Sequence, residues 1–79
     1  MGLAKSEKEL AVRASRFLKA ELKRAGVTYE ELAKRLKLHG LDETRDSVAA
    51  KLKRGTFSAT FLLACLAALE LEGLHLEDL

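Results

Sequence analysis

Residues 27–55 read VTYEELAKRLKLHGLDETRDSVAAKLKRG. The stretch holds two short amphipathic patterns separated by a turn. In the first pattern apolar residues recur at i, i+3, i+4 and i+7, the spacing of one helix face. These residues are Tyr29, Leu32, Ala33 and Leu36. Thr28 and Glu31 are placed as a capping box in front of them. The pattern predicts a helix over 29–37, ended by the His-Gly turn that follows.

The second pattern predicts a helix over 44–54. Val48 and Leu52 lie four residues apart and would anchor one face of this helix to a core. Either Asp42 or Thr44 can cap its start, because both side chains accept a hydrogen bond from a free backbone amide. The glycine that closes the quoted stretch ends it.

The outward face of this second helix is small in the middle and basic at one end. Opposite the apolar anchor, Ser47 and Ala50 face outwards. The helix then finishes on Lys53 and Arg54. Such a face lets another molecule approach the helix backbone closely.

Two further helices flank the quoted stretch. Ser6 and Glu9 form another capping box, ahead of a helix predicted over 7–25. Ser58 caps a fourth helix, predicted over 59–71. No strand pattern is convincing. The sequence therefore predicts an all-α domain of four to five helices, the last a short tail helix at 75–79.

The length and composition of the chain are those of one small globular domain. A chain of 79 residues with 48% hydrophobic and 33% charged residues has enough apolar content to fold, but its core is small. The single cysteine, Cys65, lies in an apolar run and is interpreted as a buried hydrophobe. No apolar run is long enough for a membrane span, and no signal peptide is visible. We expect a cytoplasmic protein with no membrane partner.

Charge is distributed unevenly along the chain. Residues 1–56 contain all fourteen basic and eight acidic residues, a net charge of +6. Residues 57–79 contain four acidic residues and no basic one. The net positive charge of residues 1–56 indicates a polyanionic partner for that part of the chain. A solvated helical surface would produce similar counts, so both interpretations stay open.

The fourth predicted helix is apolar on all sides, which is typical of a helix that is buried all round. A 79-residue chain has few other helices to cover it, so a homodimer interface is the economical explanation. The residues expected at that interface are apolar: Leu63, Ala64, Ala67, Leu71 and Leu74. Alternatively the tail folds back, with Leu74, Leu76 and Leu79 as the cover.

Three segments resemble known families. VTYEELAKRL, at residues 27–36, resembles the first helix of the helix-turn-helix in lambda-repressor-like (XRE-type) proteins, and residues 57–71 resemble their fourth helix. KLKRGTFSATFLL, at residues 51–63, is similar to the core of a family of short bacterial proteins described only as a domain of unknown function. The matching residues there are Lys51, Arg54, Gly55, Phe57 and Phe61.

The first resemblance implies a compact lambda-repressor-like helix-turn-helix domain. It also implies double-stranded DNA as the partner, with the helix at 44–54 in the major groove. Two features depart from that family. Tyr29 stands where the family usually has Gln, and the turn before the helix at 44–54 is longer than in the common motif.

Predicted DNA contacts lie mainly on the helix at 44–54. They are Thr44, Arg45, Ser47, Ala50, Lys51, Lys53 and Arg54. We expect Ser47, Ala50 and Lys51 nearest the base edges. Arg54 can make a bidentate contact to guanine or phosphate.

Structural roles compete with several of these assignments. Arg45 lies near the core edge by helical angle and can instead pair with Asp42. Lys53 and Arg54 also suit the negative end of the helix dipole. Ser47 is equally compatible with a plain surface position.

The preceding helix is expected to hold phosphates. Thr28 and Lys34 would do so, helped by the positive helix N-terminus. Tyr29 is assigned to the same contact surface, or else to a half-buried site with its hydroxyl exposed. A basic stripe on the first helix is interpreted either as solvated surface or as a second phosphate contact; it comprises Arg16, Lys19 and Lys23.

No catalytic or metal site is predicted. His39 and His75 each stand alone, without Cys, His or paired carboxylates at ligand spacing. No glycine-rich phosphate loop is present. We therefore expect no enzyme activity, no cofactor and no small-molecule ligand. Two functions remain: a dimeric DNA-binding regulator acting at the nucleoid, or a protein-interaction module that uses the apolar fourth helix.

Overall fold

The computed structural model describes residues 6–79. Over these residues the chain is all-helical and contains no sheet, as predicted. The elements are α1 (Glu7–Ala25), α2 (Tyr29–Lys37), α3 (Arg45–Arg54), α4 (Ala59–Ala68) and a short 3-10 helix, Leu76–Asp78. The tail segment is thus a single 3-10 turn.

Every α-helix begins with a side-chain cap. In each case a hydroxyl oxygen accepts a hydrogen bond from the backbone N–H three residues later, a donor that the helix itself leaves unpaired. The pairs are Ser6 with Glu9, Thr28 with Glu31, Thr44 with Ser47 and Ser58 with Phe61. Thr44, and not Asp42, is therefore the cap of α3.

The α1 and α3 helices end at glycines in the left-handed region. Gly26 and Gly55, their C-caps, have φ values of +70° and +79°. A side chain at such positions would be strained, so glycine fixes where these two helices stop. The C-cap of α2 is Leu38, in the right-handed region. After α2 the chain turns at Gly40, and the Leu41 N–H donates to the Leu36 carbonyl.

The fourth helix ends at Ala68, three residues before the predicted end at Leu71. Glu70 adopts φ +60°, although it is not a glycine. Its N–H donates to Ala67 O, and the Leu71 N–H donates to Leu66 O, which completes a Schellman motif. No glycine stands at this position to indicate the stop.

The core lies where α2, α3 and α4 meet under α1. The α2 helix packs against α3 and α4, and α1 packs against α3. Phe61 is the largest fully buried side chain. Ser15 of α1 is also buried, and its Oγ donates a hydrogen bond to the Leu52 carbonyl at 2.5 Å. This bond fixes α1 to the C-terminal half of α3.

Cys65 is part of that core. Its thiol is almost completely buried. Burial, together with the nearby Glu43 charge, raises the pKa of the thiol to about 12 despite an opposing effect of Lys51. Because the thiolate is the reactive form, Cys65 is a structural residue here.

The tail returns to α1. Asp78 and Leu79 line a groove with side chains of that helix, including Arg16, Phe17 and Arg24. Leu79 and Leu74 are half-buried, whereas Leu76 is exposed. The chain's acidic end therefore lies against the outer surface of α1.

Leu36 and Leu38 give a matched test of this core. Leu36 is 0% exposed and Leu38 is 85% exposed. We expect Leu36→Ala to lower the free energy of unfolding by about 2–5 kcal/mol, through lost burial and a residual cavity. Leu38→Ala should change it by less than about 0.5 kcal/mol. Urea titrations followed by circular dichroism measure both, and equal effects would contradict the described packing.

Candidate nucleic-acid interface

A buried carboxylate lies at the start of α3. Glu43 stands in the turn before the helix and is only 8% exposed. It accepts hydrogen bonds from Ser47 Oγ at 2.6 Å and from Lys51 Nζ at 2.5 Å. The Lys51 ammonium also lies 5.2 Å from the centroid of the Phe61 ring, within cation–π range. We call Glu43, Ser47 and Lys51 the Glu43 cluster.

Ser47 has a second structural role in the cap of α3. Its backbone N–H donates to Thr44 Oγ1, and the Thr44 N–H donates to Ser47 Oγ at 2.8 Å. This is a reciprocal capping box. Two of the three residues predicted nearest base edges, Ser47 and Lys51, are thus held on the flank of α3 by intramolecular bonds.

The electrostatics of the cluster follow from burial and pairing. Burial raises the pKa of Glu43, but the hydrogen bonds from Lys51 and Ser47 and the Lys51 charge outweigh it and leave the pKa below its usual value. Glu43 is therefore a carboxylate near neutral pH. The sequence analysis missed this residue, although Glu43, Ser47 and Lys51 recur at i, i+4 and i+8.

The surface of α3 that faces away from the core is polar and small. Ala50 is exposed, and the cations Arg45, Lys53 and Arg54 are exposed around it. We call these four residues the α3 outer face. Arg45 pairs with Asp46 at 3.3 Å, and not with the Asp42 that the sequence offered. Thr44 is exposed at the helix start.

Arg54 is held in place by the turn that follows α3. Its Nε donates to Thr56 Oγ1 at 2.9 Å, and its Nη2 donates to the Thr56 carbonyl at 3.3 Å. A guanidinium has five N–H donors, so three stay available for another acceptor. Lys53 makes no ion pair or hydrogen bond with any residue that the structure describes.

The candidate phosphate contacts of α2 differ in exposure. Thr28 and Lys34 are exposed, and Thr28 Oγ1 accepts from the Glu31 N–H. Tyr29 is half-buried and packs against the core. Arg35, by contrast, is used internally, because it pairs with Glu31 and donates to the Ala68 carbonyl at 3.1 Å.

The residues expected at a dimer interface divide into three groups. Leu63 is 64% exposed and Ala67 is also exposed on α4. Leu71 and Leu74 are half-buried after the helix end. Ala64 is buried in the core of the single chain, so it is not accessible to a partner.

Among residues 6–79 no three His, Cys, Asp or Glu side chains are grouped as metal ligands. Within that same range, no helix combines the length and apolarity that crossing a bilayer requires.

A comparison with known protein families matches residues 10–74 to the family described as a domain of unknown function (DUF6471). The chain belongs to this family. The prediction of a short family without an assigned function is confirmed. No curated protein matches the chain, and no solved structure matches it.

The DUF6471 match includes the whole candidate interface. Residues 10–74 contain α2, α3, α4 and most of α1. Both the Glu43 cluster and the α3 outer face fall inside the matched range. The family description itself assigns no activity to them.

The Glu43 cluster of this DUF6471 protein predicts a pH-dependent stability. Because the folded pKa of Glu43 is depressed, its contribution is complete above the ordinary value of 4.5 and is lost as the pH falls through the folded pKa. We expect Glu43→Gln to cost about 1–3 kcal/mol at neutral pH, through weakened charge-assisted hydrogen bonds. The same substitution should cost less in acid.

Urea titrations at neutral and acidic pH measure this dependence. Glu72→Gln is the matched control, because Glu72 is exposed in the tail. The account would be wrong if Glu43→Gln matched the wild type at every pH.

Proposed function

We propose that this protein is a small helix-turn-helix DNA-binding protein that reads the major groove of double-stranded DNA with α3. The observation that carries the proposal is the α3 outer face, where one small residue, Ala50, is surrounded by exposed cations. Close approach of a helix to base edges requires a small surface, and attachment to DNA requires cations that neutralise phosphates.

Rigid placement of α3 supports this role. The helix is held by its capping box, by the Glu43 cluster and by the burial of Val48 and Leu52. A recognition helix that is fixed before binding loses little conformational freedom on contact. Arg54 is also pre-oriented by Thr56, and its remaining donors suit either guanine or a phosphate.

The α2 helix supplies the supporting contacts in this proposal. In helix-turn-helix proteins the first helix of the motif crosses the DNA backbone. The exposed Thr28 and Lys34 of α2, next to the positive N-terminus of that helix, suit phosphate oxygens. Tyr29 contributes through packing and the edge of its ring.

A lambda-repressor-like arrangement is part of the same proposal. Its support is the packing of α2 against α3 and the order of four capped helices. The long turn between α2 and α3 is ordered by the Leu41 to Leu36 hydrogen bond and by burial of Glu43. In this arrangement Ala50, Lys53 and Arg54 replace Ser47 and Lys51 as the residues nearest the bases. We assign the protein to transcriptional regulation on chromosomal or mobile-element DNA at the nucleoid.

A salt series tests DNA binding. The probe is a mixed-sequence duplex of about 30 base pairs, roughly three helical turns. We expect affinity to fall steeply between about 50 and 200 mM salt. Lys53→Ala/Arg54→Ala should make the slope of log K against log salt shallower by about 2. Fluorescence anisotropy measures the binding.

The matched control is Arg16→Ala/Arg24→Ala, which removes two exposed cations from the surface of α1 that lies against the tail. It should leave the slope nearly unchanged. Absence of any binding by the wild type at about 50 mM salt would refute the proposed function.

We propose further that the protein acts as a homodimer through the outer surface of α4. Leu63 and Ala67 are exposed there on a helix with no charged residue. Two-fold dimers are the commonest oligomers, and they place two recognition helices about 34 Å apart on DNA. The same surface supports a second candidate function, docking of a different protein.

Light scattering at micromolar concentration tests the dimer. We expect the mass of two chains for the wild type and of one chain for Leu63→Asp, because a carboxylate would be buried unpaired at the interface. Leu38→Asp is the control, since Leu38 is a leucine outside α4 that is even more exposed than Leu63, 85% against 64%. A monomeric wild type would contradict the homodimer and favour docking of another protein.

A further inference from the structure

A second basic surface lies beside the α3 outer face. The N-terminal half of α1 crosses the C-terminal end of α3 and leaves a groove of about 420 Å³. Its basic lining comes from both helices: Lys8 and Lys19 from α1, Lys53 and Arg54 from α3. Glu7 is the one acidic residue among those that line it.

The lysines in this groove have no partner within the described chain. Most arginines of the protein are engaged internally: Arg24, Arg35 and Arg45 form ion pairs, and Arg54 binds Thr56. Over residues 6–79, no ion pair or hydrogen bond is made by the side chains of Lys8, Lys19 and Lys53. Three unpaired cations along one groove make its potential positive, and that potential attracts an anionic chain.

The groove has a floor of small or short side chains. Ala11, Val12 and Gly55 contribute to it, and Ser15 is occupied by its bond to Leu52. Lys8 and Lys19 are eleven residues apart on one helix, or roughly 16 Å at 1.5 Å per residue. Measured along the DNA axis, that length equals the rise of about five base pairs at 3.4 Å each.

We propose that this groove holds the phosphate backbone of DNA next to the base pairs that α3 contacts. The inference rests on the proposed DNA-binding function and extends it to α1. Lys53 and Arg54 belong to both the groove and the α3 outer face, so one strand can pass from the major-groove contact onto α1 without a gap. An acidic peptide could bind in the groove alone, so it would not require basic residues that the groove shares with the α3 outer face.

The test compares variants of the groove in the same DNA-binding assay. Lys8→Ala/Lys19→Ala should make the salt slope shallower by about 2 and weaken binding roughly ten- to a hundred-fold at about 100 mM salt. Arg16→Ala/Arg24→Ala, with the same loss of charge outside the groove, should leave both values close to the wild type. Circular dichroism checks that all variants fold.

Glu7→Gln is expected to change DNA affinity in the opposite direction to the lysine substitutions. It removes the acidic residue that lines the groove, so we expect DNA affinity to rise a few-fold, which a folding defect would not produce. The inference is overturned if the wild type binds DNA but Lys8→Ala/Lys19→Ala and Glu7→Gln leave that binding unchanged.

Poly-L-glutamate serves as a second probe. If Lys8→Ala/Lys19→Ala weakens its binding while DNA binding is unaffected, the groove takes acidic protein segments and the inference is wrong. A wild type that binds no DNA at all refutes the proposed function itself, so the two failures are distinguishable.

Discussion

The buried carboxylate of Glu43 helps to determine which side of α3 is exposed. A carboxylate with 8% exposure needs partners, and it obtains them from Ser47 and Lys51 on one flank of the helix. Those two bonds, together with the burial of Val48 and Leu52 on the adjacent face, fix the rotation of α3 about its axis. What remains outside is Ala50 with its surrounding cations. Which residues form the outer face thus follows from the bonds to Glu43 and from the burial of Val48 and Leu52 together.

The basic side chains on the surface fall into two groups, those with an intramolecular partner and those without one. Lys51 and Arg35 have structural partners, and Arg45 pairs with its neighbour Asp46. Three lysines without a partner among the described residues, Lys8, Lys19 and Lys53, line the groove at the junction of α1 and α3. Meanwhile the acidic tail lies against the other surface of α1, near Arg16 and Arg24. The excess of basic residues in positions 1–56 is therefore partly neutralised by internal pairs, and a smaller basic surface remains exposed.

Sequence patterns predicted the helices because the deciding interactions are local. A hydroxyl at Thr28 or Ser58 caps the next helix, and a glycine such as Gly26 or Gly55 ends one, within four residues. The end of α4 was not predictable in this way, since Glu70 adopts a left-handed conformation that glycine usually signals. The candidate site was harder to predict from the sequence, for a related reason. Whether Ser47 and Lys51 face outwards depends on Glu43 being buried, and that burial is produced by tertiary packing.

The most direct test of the account is a titration of ¹⁵N-labelled protein with duplex DNA, followed by NMR. We expect the amide shifts to change most along α3 near Ala50 and Lys53 and in the facing turns of α1, with little change at Leu63 and Ala67. Changes confined to α4, or no changes with saturating duplex, would contradict the claim that α3 is the DNA-reading element.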